Sequence, residues 1–259
     1  MKKIKFYYST KLTFDNNVAE HTFALRCTPL ESASQHLESI NIQLSPDVTV
    51  DTSNDSFGNI VTSGYIKDSH RFLDITSSGV VTTDYSKKKI DFMPCYKSQS
   101  AMTKPDKSIT EFYNSISENA GTTIDERAKY FSDKVNEIMT YEKGVTDMST
   151  TAAQTFEMKK GVCQDFSHIL LSLLRLDGIS SRYIAGLAFC DGETHSWVEY
   201  WNGEYWTGID PTNGCLADED YIVLSQGRDV IDSSVSRGIM FGGYTRQMQL
   251  VETKLSVTF

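Results

Sequence analysis

The chain lacks a long apolar run, and it lacks an excess of basic residues. Of its 259 residues 39% are hydrophobic, but no apolar segment is long enough to cross a membrane as a helix. The N-terminal segment, residues 1–5, is positively charged but is not followed by an apolar stretch, so we expect no secretory signal. The net charge is -9, which argues against nucleic acid as a partner. The sequence therefore predicts a cytoplasmic protein with neither a nucleic-acid nor a membrane partner.

Cysteine is also scarce, and the number and spacing of the cysteines argue against two structural uses of this residue. The five cysteines are Cys27, Cys95, Cys163, Cys190 and Cys215. The number is odd and no two of them form a CxxC pair, which argues against both a disulfide scaffold and a zinc site. We expect reduced thiols.

The first part of the chain has the character of an all-β domain. Roughly alternating apolar residues predict strands at 19–27, 35–44 and 71–76, and turn-forming residues separate them at 45–47, 54–59 and 77–79. A polar stretch at 86–107 is the linker candidate, and the lysines at 87–89 within it are expected on a solvated face. We place the β-rich N-terminal domain at residues 1–105 and the core at 106–259.

Helical periodicity begins near residue 106. Asp106 or Ser108 can cap a first helix, and Thr123 with Glu126 forms a capping-box pattern at the start of a second. The pattern predicts two helices here, each with one apolar face.

Two further helices and several strands follow. A third helix is predicted at 151–160, ended by Gly161, and a fourth begins at Cys163 and ends at Gly178. Strands are predicted after them at residues 180–187, 195–201, 204–210 and 247–259.

Cys163, His195 and Asp210 are the candidates for chemistry. A cysteine at the start of a helix has its thiol pKa lowered by the free N–H groups and the helix dipole. A thiol nucleophile also needs a base to accept its proton and a carboxylate to orient that base. These three residue types occur in that order along the chain.

The spacing of His195 and Asp210 predicts that they meet. Asn202-Gly203 is a strong signal for a two-residue hairpin turn, and with that turn His195 lies directly opposite Asp210. The same register places Trp197 and Trp206 on the face of His195. They are candidates to line a substrate channel, although packing of the sheet is the preferred role for at least two of the three tryptophans.

Other polar residues near these positions have less specific patterns. His168, on the helix of Cys163, is a rival base, but it cannot easily face the thiol. Cys190, Asp191 and Glu193 show no metal-ligand spacing and are interpreted as loop residues. We therefore predict no metal and no other cofactor.

Four segments of the chain resemble bacterial transglutaminase-like proteins, which are often described as proposed cysteine proteases. They are GVCQDF at 161–166, LRLDGISSRY at 174–183, HSWVE at 195–199 and DPTNG at 210–214. The resemblance spans about 125–240, and the first hundred residues are similar to the β-rich region that commonly precedes this core.

The resemblance implies an α+β fold, in which an all-β N-terminal domain precedes a papain-like core of helices packed on an antiparallel sheet. It implies Cys163 as nucleophile, His195 as base and Asp210 as the orienting carboxylate, without a metal cofactor.

The expected reaction is cleavage of an amide bond in a peptide or protein substrate through an acyl-enzyme thioester. The backbone N–H of Cys163 and one further donor, Gln154 or Gln164, would hold the oxyanion. The acyl group passes either to water or to an amine, and we favour water. The alternatives are a true transglutaminase and a non-catalytic binding protein that keeps the fold. The oligomeric state does not follow from the sequence.

Overall fold

Two antiparallel sheets lie face to face, and helices cover the outer face of the second sheet. The computed structural model describes residues 1–189, 192–242 and 246–258. Cys190 and Asp191, predicted to be loop residues, lie outside this range. Helix accounts for 23% of the structure and strand for 45%, which confirms the predicted α+β class.

The first sheet is built mainly by the N-terminal strands. In chain order these are β1 (Lys2–Leu25), β2 (Gln35–Ser45), β3 (Val50–Asn54), β4 (Ile60–Ile66) and β5 (His70–Thr83). The sheet order is β2-β5-β1-β4-β3.

The core follows with helices on one side of a five-stranded sheet. Its elements are α1 (Lys107–Ile116), α2 (Ile124–Ile138), β6 (Thr140–Tyr141), α3 (Ala152–Met158), β7 (Lys160–Gly161), α4 (Cys163–Leu176), β8 (Ser181–Ala188), β9 (His195–Trp201), β10 (Trp206–Asp210), β11 (Cys215–Leu216), β12 (Tyr221–Gly227) and α5 (Val230–Ser233). The sheet order is β11-β10-β9-β8-β12, and β6 pairs with β7.

The last two strands return to the first sheet. β13 (Ser236–Phe241) and β14 (Gln247–Thr258) both pair antiparallel with β1. The predicted division at residue 105 assigns them to the core, whereas their backbone hydrogen bonds lie in the N-terminal sheet. Sequence order does not reveal this return, because strand pairing joins the two ends of the chain.

The two sheets share an apolar interface. Leu187, Ile222 and Leu224 from the second sheet pack with the buried side chains of β1, among them Phe6 and Tyr8. The opposite face of the second sheet packs on the helices and forms a separate cluster. Burial on both faces explains why β8 is buried along its whole length.

The predicted turn at residues 77–79 is wrong, because these residues lie inside β5. β5 pairs with β1 on one side and with β2 on the other, so ladder hydrogen bonds override the turn preference of Ser-Ser-Gly. Gly79 is needed there for a close approach, since a Cβ at this position would lie 2.0 Å from the carbonyl oxygen of Ser39.

The predicted helix starts are confirmed at two places. The Asp106 carboxylate accepts a hydrogen bond from the N–H of Ile109 at 2.8 Å, and Thr123 forms the full capping box with Glu126. The predicted end of the third helix is wrong. Lys159, with φ of 57°, terminates α3, and Gly161 lies in β7 beside the carboxylate of Asp165.

The predicted linker is packed rather than free. Residues Pro94–Lys97 form a 3₁₀ turn in which Tyr96 is fully buried. Lys89 was expected on a solvated face, but it is buried and forms an ion pair with Glu199 of β9. A buried partner from a distant strand therefore reverses the usual preference of lysine for water.

Within the described ranges, none of the helices combines the length and the hydrophobicity needed to cross a membrane.

Candidate active site

Cys163 is the first residue of α4, and the rest of that helix is anchored in the core. Phe166, Ile169 and Leu170 are buried within it. Cys163 as a whole residue is of intermediate exposure. Val162 precedes the helix without a side-chain cap, and its N–H donates to the carboxylate of Asp165 at 2.8 Å. Cys163 therefore lies at the N-terminus of a helix, where the helix dipole and the N–H groups of the first turn favour the thiolate form.

His195 connects the thiol with Asp210. Its Nε2 lies 2.7 Å from the Asp210 Oδ2, and the ring also hydrogen-bonds the Cys163 sulfur. Because Nε2 is engaged by the carboxylate, Nδ1 is the nitrogen left for the sulfur. The structure thus brings the three predicted residues together in one line of contact.

Their protonation equilibria favour an ion pair. Burial raises the pKa of the Cys163 thiol, but the hydrogen bond to His195, its charge and contacts with Ser196 outweigh burial and hold the pKa below its ordinary value. Burial lowers the pKa of His195, but the bonds to Asp210 and Cys163 raise it to about 11. A thiolate beside an imidazolium is the form that such opposite shifts stabilise.

The hairpin that holds this pair differs from the predicted one. Trp206 pairs with Trp201, so residues 202–205 form a four-residue loop in place of the two-residue turn. The Asn202 side chain stabilises that loop by accepting from the N–H groups of Glu204 and Tyr205, both at 3.0 Å. The register is therefore shifted by two residues, and His195 lies diagonal to Asp210 rather than opposite it. A shift of two keeps both side chains on the same face, which is why the contact survives.

Asp210 is saturated with donors. Its Oδ1 accepts from the backbone N–H groups of Thr212 and Asn213, at 2.9 and 3.1 Å. Its Oδ2 accepts from His195, from the Asn213 amide at 2.8 Å and from the Tyr221 hydroxyl at 2.9 Å. Burial raises the pKa of Asp210, but His195 and Asn213 lower it below its ordinary value. The carboxylate is therefore fixed as an anion in one orientation.

Sequence reasoning missed Asn213 and Tyr221. A signal for Asn213 existed, because Asp-Pro-Thr-Asn is a pattern in which an aspartate accepts from the backbone two and three residues later. Tyr221 reaches Asp210 from β12, and no local pattern could have indicated that contact.

A cleft of about 470 Å³ opens at Cys163. One wall comes from the core and includes Gln164 and His195. Another part of the wall comes from the N-terminal sheet and includes Tyr8 of β1 and Leu250 of β14. The site therefore lies between the two sheets, and both parts of the chain build it.

Trp197 and Trp206 do not line this cleft, contrary to the prediction that they contact substrate. Trp197 is fully buried and packs against Tyr221 with ring centroids 5.1 Å apart. Trp206 is 3% exposed and lies in a separate aromatic group with Tyr96 and Trp201. Trp197 lies on the face of β9 that is turned away from the helices. Val198, the next residue, lies on the other face and contacts them.

The two predicted oxyanion donors are placed differently. Gln154 does not line the cleft, and its side chain instead accepts from the N–H of Thr151 in the capping box of α3. Gln164 lines the cleft beside Cys163, with its amide donating to the carbonyl of Asp147 at 3.1 Å. Since an amide nitrogen has two hydrogens, one of them is left for an oxyanion.

His168 is a buried structural residue. Its Nε2 accepts from the N–H of Val230 at 3.3 Å, and burial, with the charge of Arg175, lowers its pKa to about 3. It is therefore neutral and directed at α5. Among the described residues, no group of three or more His, Cys, Asp or Glu side chains could hold a metal ion.

Comparison with known families agrees with this architecture. Residues 110–211 match the model of the transglutaminase-like superfamily, and residues 4–82 match that of the bacterial transglutaminase-like N-terminal region. The chain belongs to the bacterial transglutaminase-like family, with the β-rich region that precedes its core.

Individual relatives extend over most of the chain. A proposed cysteine protease from Cytophaga hutchinsonii has a similar structure, with a TM-score of 0.79 and 18% sequence identity over 99% of this chain and 91% of that one. An uncharacterized protein of Mycobacterium leprae is 24% identical, covering 97% of this chain and 98% of its own. An uncharacterized protein of Mycobacterium tuberculosis is 26% identical, covering 83% and 80%. The likeness in structure establishes the papain-like fold.

Proposed function

We propose that this chain is a cysteine-nucleophile enzyme that cleaves amide bonds in peptides or proteins through an acyl-enzyme thioester. The observation that supports the proposal most strongly is the position of His195, which contacts the Cys163 sulfur and Asp210 at once. Separate structural roles for the three residues do not require that arrangement, whereas nucleophilic catalysis does.

The steps follow from the proton positions. The Cys163 thiolate attacks the carbonyl carbon, and the oxyanion that forms is held by the Cys163 backbone N–H and, we propose, by the Gln164 amide. The imidazolium of His195 then donates its proton to the leaving amine, and the C–N bond breaks. Asp210 stabilises the charged ring throughout without accepting its proton. A water molecule deprotonated by His195 finally hydrolyses the thioester.

Hydrolysis is favoured over transfer to an amine because of the shape of the site. Cys163 is partly exposed and the described walls of its cleft contain no tryptophan. Transfer to an amine requires that water be kept away from the thioester. A cleft in which Cys163 is a residue of intermediate exposure does not provide that protection.

An acyl-enzyme adduct tests the proposal directly. On incubation with 4-nitrophenyl acetate, we expect a burst of 4-nitrophenol and an acetyl adduct that peptide mapping by mass spectrometry assigns to Cys163. The Cys163→Ala variant should show neither. Monodansylcadaverine, added as an amine acceptor, measures how the acyl group divides between amine and water. We expect most of the acyl group to pass to water. Equal acetylation of Cys163 and of the exposed Cys215 would indicate an ordinary thiol and support a non-catalytic role.

A further inference from the structure

The edge of β14 beside the cleft has backbone groups that point away from its own sheet. β14 pairs with β1 on one side, and within the described part of the chain no other strand pairs with its second side. Three consecutive residues of that strand, Gln249, Leu250 and Val251, line the cleft of Cys163. An open strand edge therefore borders the cleft that contains the nucleophile.

The register identifies which backbone groups face outward. The Thr253 N–H donates to the Gly192 carbonyl at 2.7 Å, so at Thr253 the N–H points away from β1. Backbone groups in a strand alternate in direction, so those of Val251 and Gln249 point the same way. The chain itself already uses this edge at Thr253, and the next two outward positions along the strand border the cleft.

The charge of the cleft indicates which side chains suit it. Apart from the Cys163–His195 pair, the described lining has two charged residues, Lys143 and Glu193, and these bind each other at 2.9 Å. The remaining lining is uncharged, with aliphatic residues such as Val230 and Leu250 beside hydroxyl and amide side chains such as Ser233. Such a surface favours apolar side chains over charged ones.

We propose that the substrate of this site is a protein segment in extended conformation with apolar side chains, which adds as a strand to the outer edge of β14. Its backbone would pair with Gln249 and Val251, and the carbonyl to be cleaved would lie at Cys163. Addition of a strand to an open sheet edge supplies affinity through main-chain hydrogen bonds and specificity through alternate side chains. The inference rests on the proposed function, because it requires Cys163 to be the nucleophile.

Peptide chloromethyl ketones test strand pairing. In the labelling step, the Cys163 thiolate forms an S–C bond to the methylene carbon while the C–Cl bond breaks and chloride leaves. The parent probe is acetyl-Val-Ala-Val-Ala chloromethyl ketone. Two derivatives have N-methyl groups at every second backbone amide, one on the first and third amides and the other on the second and fourth. We expect one derivative to label Cys163 about tenfold more slowly than the parent, the loss for one or two backbone hydrogen bonds, and the other to change little. Replacing the valines of the parent with glutamate or lysine should also slow labelling.

Iodoacetamide separates this inference from the proposed function. If iodoacetamide alkylates Cys163 rapidly at neutral pH but all three peptide probes label it at equal rates, strand pairing is overturned and the nucleophile stands. If iodoacetamide alkylation is as slow as for an ordinary thiol, both proposals are overturned.

A pair of variants at Gln249 provides an independent test. Gln249→Pro removes an N–H that points away from β1, so the ladder between β1 and β14 is retained. Gln249→Ala removes the same side chain and keeps the N–H. We expect the proline variant to be labelled by the parent probe about fivefold more slowly than the alanine variant, as for one lost hydrogen bond. Equal labelling of two folded variants would contradict the proposal, and if the proline variant does not fold, the methylated probes decide.

Discussion

Replacing His195 with alanine is expected to slow alkylation of Cys163 by iodoacetamide about 100-fold at pH 6, because an ordinary thiol is less than about 1% ionised there. In the native protein His195 lowers the pKa of the Cys163 thiol, so the thiolate persists as the pH falls and is lost only below that lowered pKa. Without the imidazolium, burial raises the pKa of the thiol and is opposed only by the contacts with Ser196. The variant should therefore regain reactivity only in alkaline solution.

The measurement is the rate of alkylation across pH, with peptide mapping to separate Cys163 from the other four cysteines. His36→Ala is the matched control, because this histidine has a side chain that is 70% exposed and lies outside the cleft lining. It should leave the profile of Cys163 unchanged. An identical profile for wild type and His195→Ala would contradict the activated thiol.

Replacing Glu199 with alanine is expected to lower the free energy of unfolding by about 3–5 kcal/mol, the range for breaking a buried ion pair. Glu199 is fully buried, and its carboxylate binds Lys89 and Arg182, which are themselves buried. Burial raises the pKa of Glu199, but these two cations hold it below its ordinary value. Alanine leaves Lys89 without its ion-pair partner in a water-poor environment, and it leaves Arg182 with only the exposed carboxylate of Asp91.

Urea denaturation followed by tryptophan fluorescence measures this change. Lys87→Ala is the control, because the side chain of this nearby lysine is 65% exposed, and it should change stability by less than about 0.5 kcal/mol. Glu199→Gln, which keeps the shape but removes the charge, should also destabilise the protein. A loss below about 1 kcal/mol for Glu199→Ala would show that water reaches the cations in the native state.

The positions of the three candidate residues were predictable because they depend on local patterns. Cys163 lies two residues after Gly161 and opens an apolar helix, so its place at a helix start could be read from neighbouring residues. His195 and Asp210 share a face because side chains alternate along a strand, and that parity survived an error of two residues in the register.

The surroundings of the site were less predictable. The tryptophans were assigned to the correct face of the hairpin. Whether that face borders the cleft or packs inside the protein depends on how the two sheets pack, and here it is packed. Gln154 was a plausible oxyanion donor until the capping box of α3 engaged its side chain.

By itself the sequence determined the α+β class, the helix starts at Asp106 and Thr123, and the three residues that meet at the site. These features arise from interactions over a few residues, such as capping and strand alternation. Only the tertiary structure decided that β14 returns to β1, that Tyr221 donates to Asp210, and that Lys89 is buried against Glu199. The partners in each of these contacts lie on segments that no predicted turn pairs with each other, and they meet through the packing of the sheets, which no local pattern encodes.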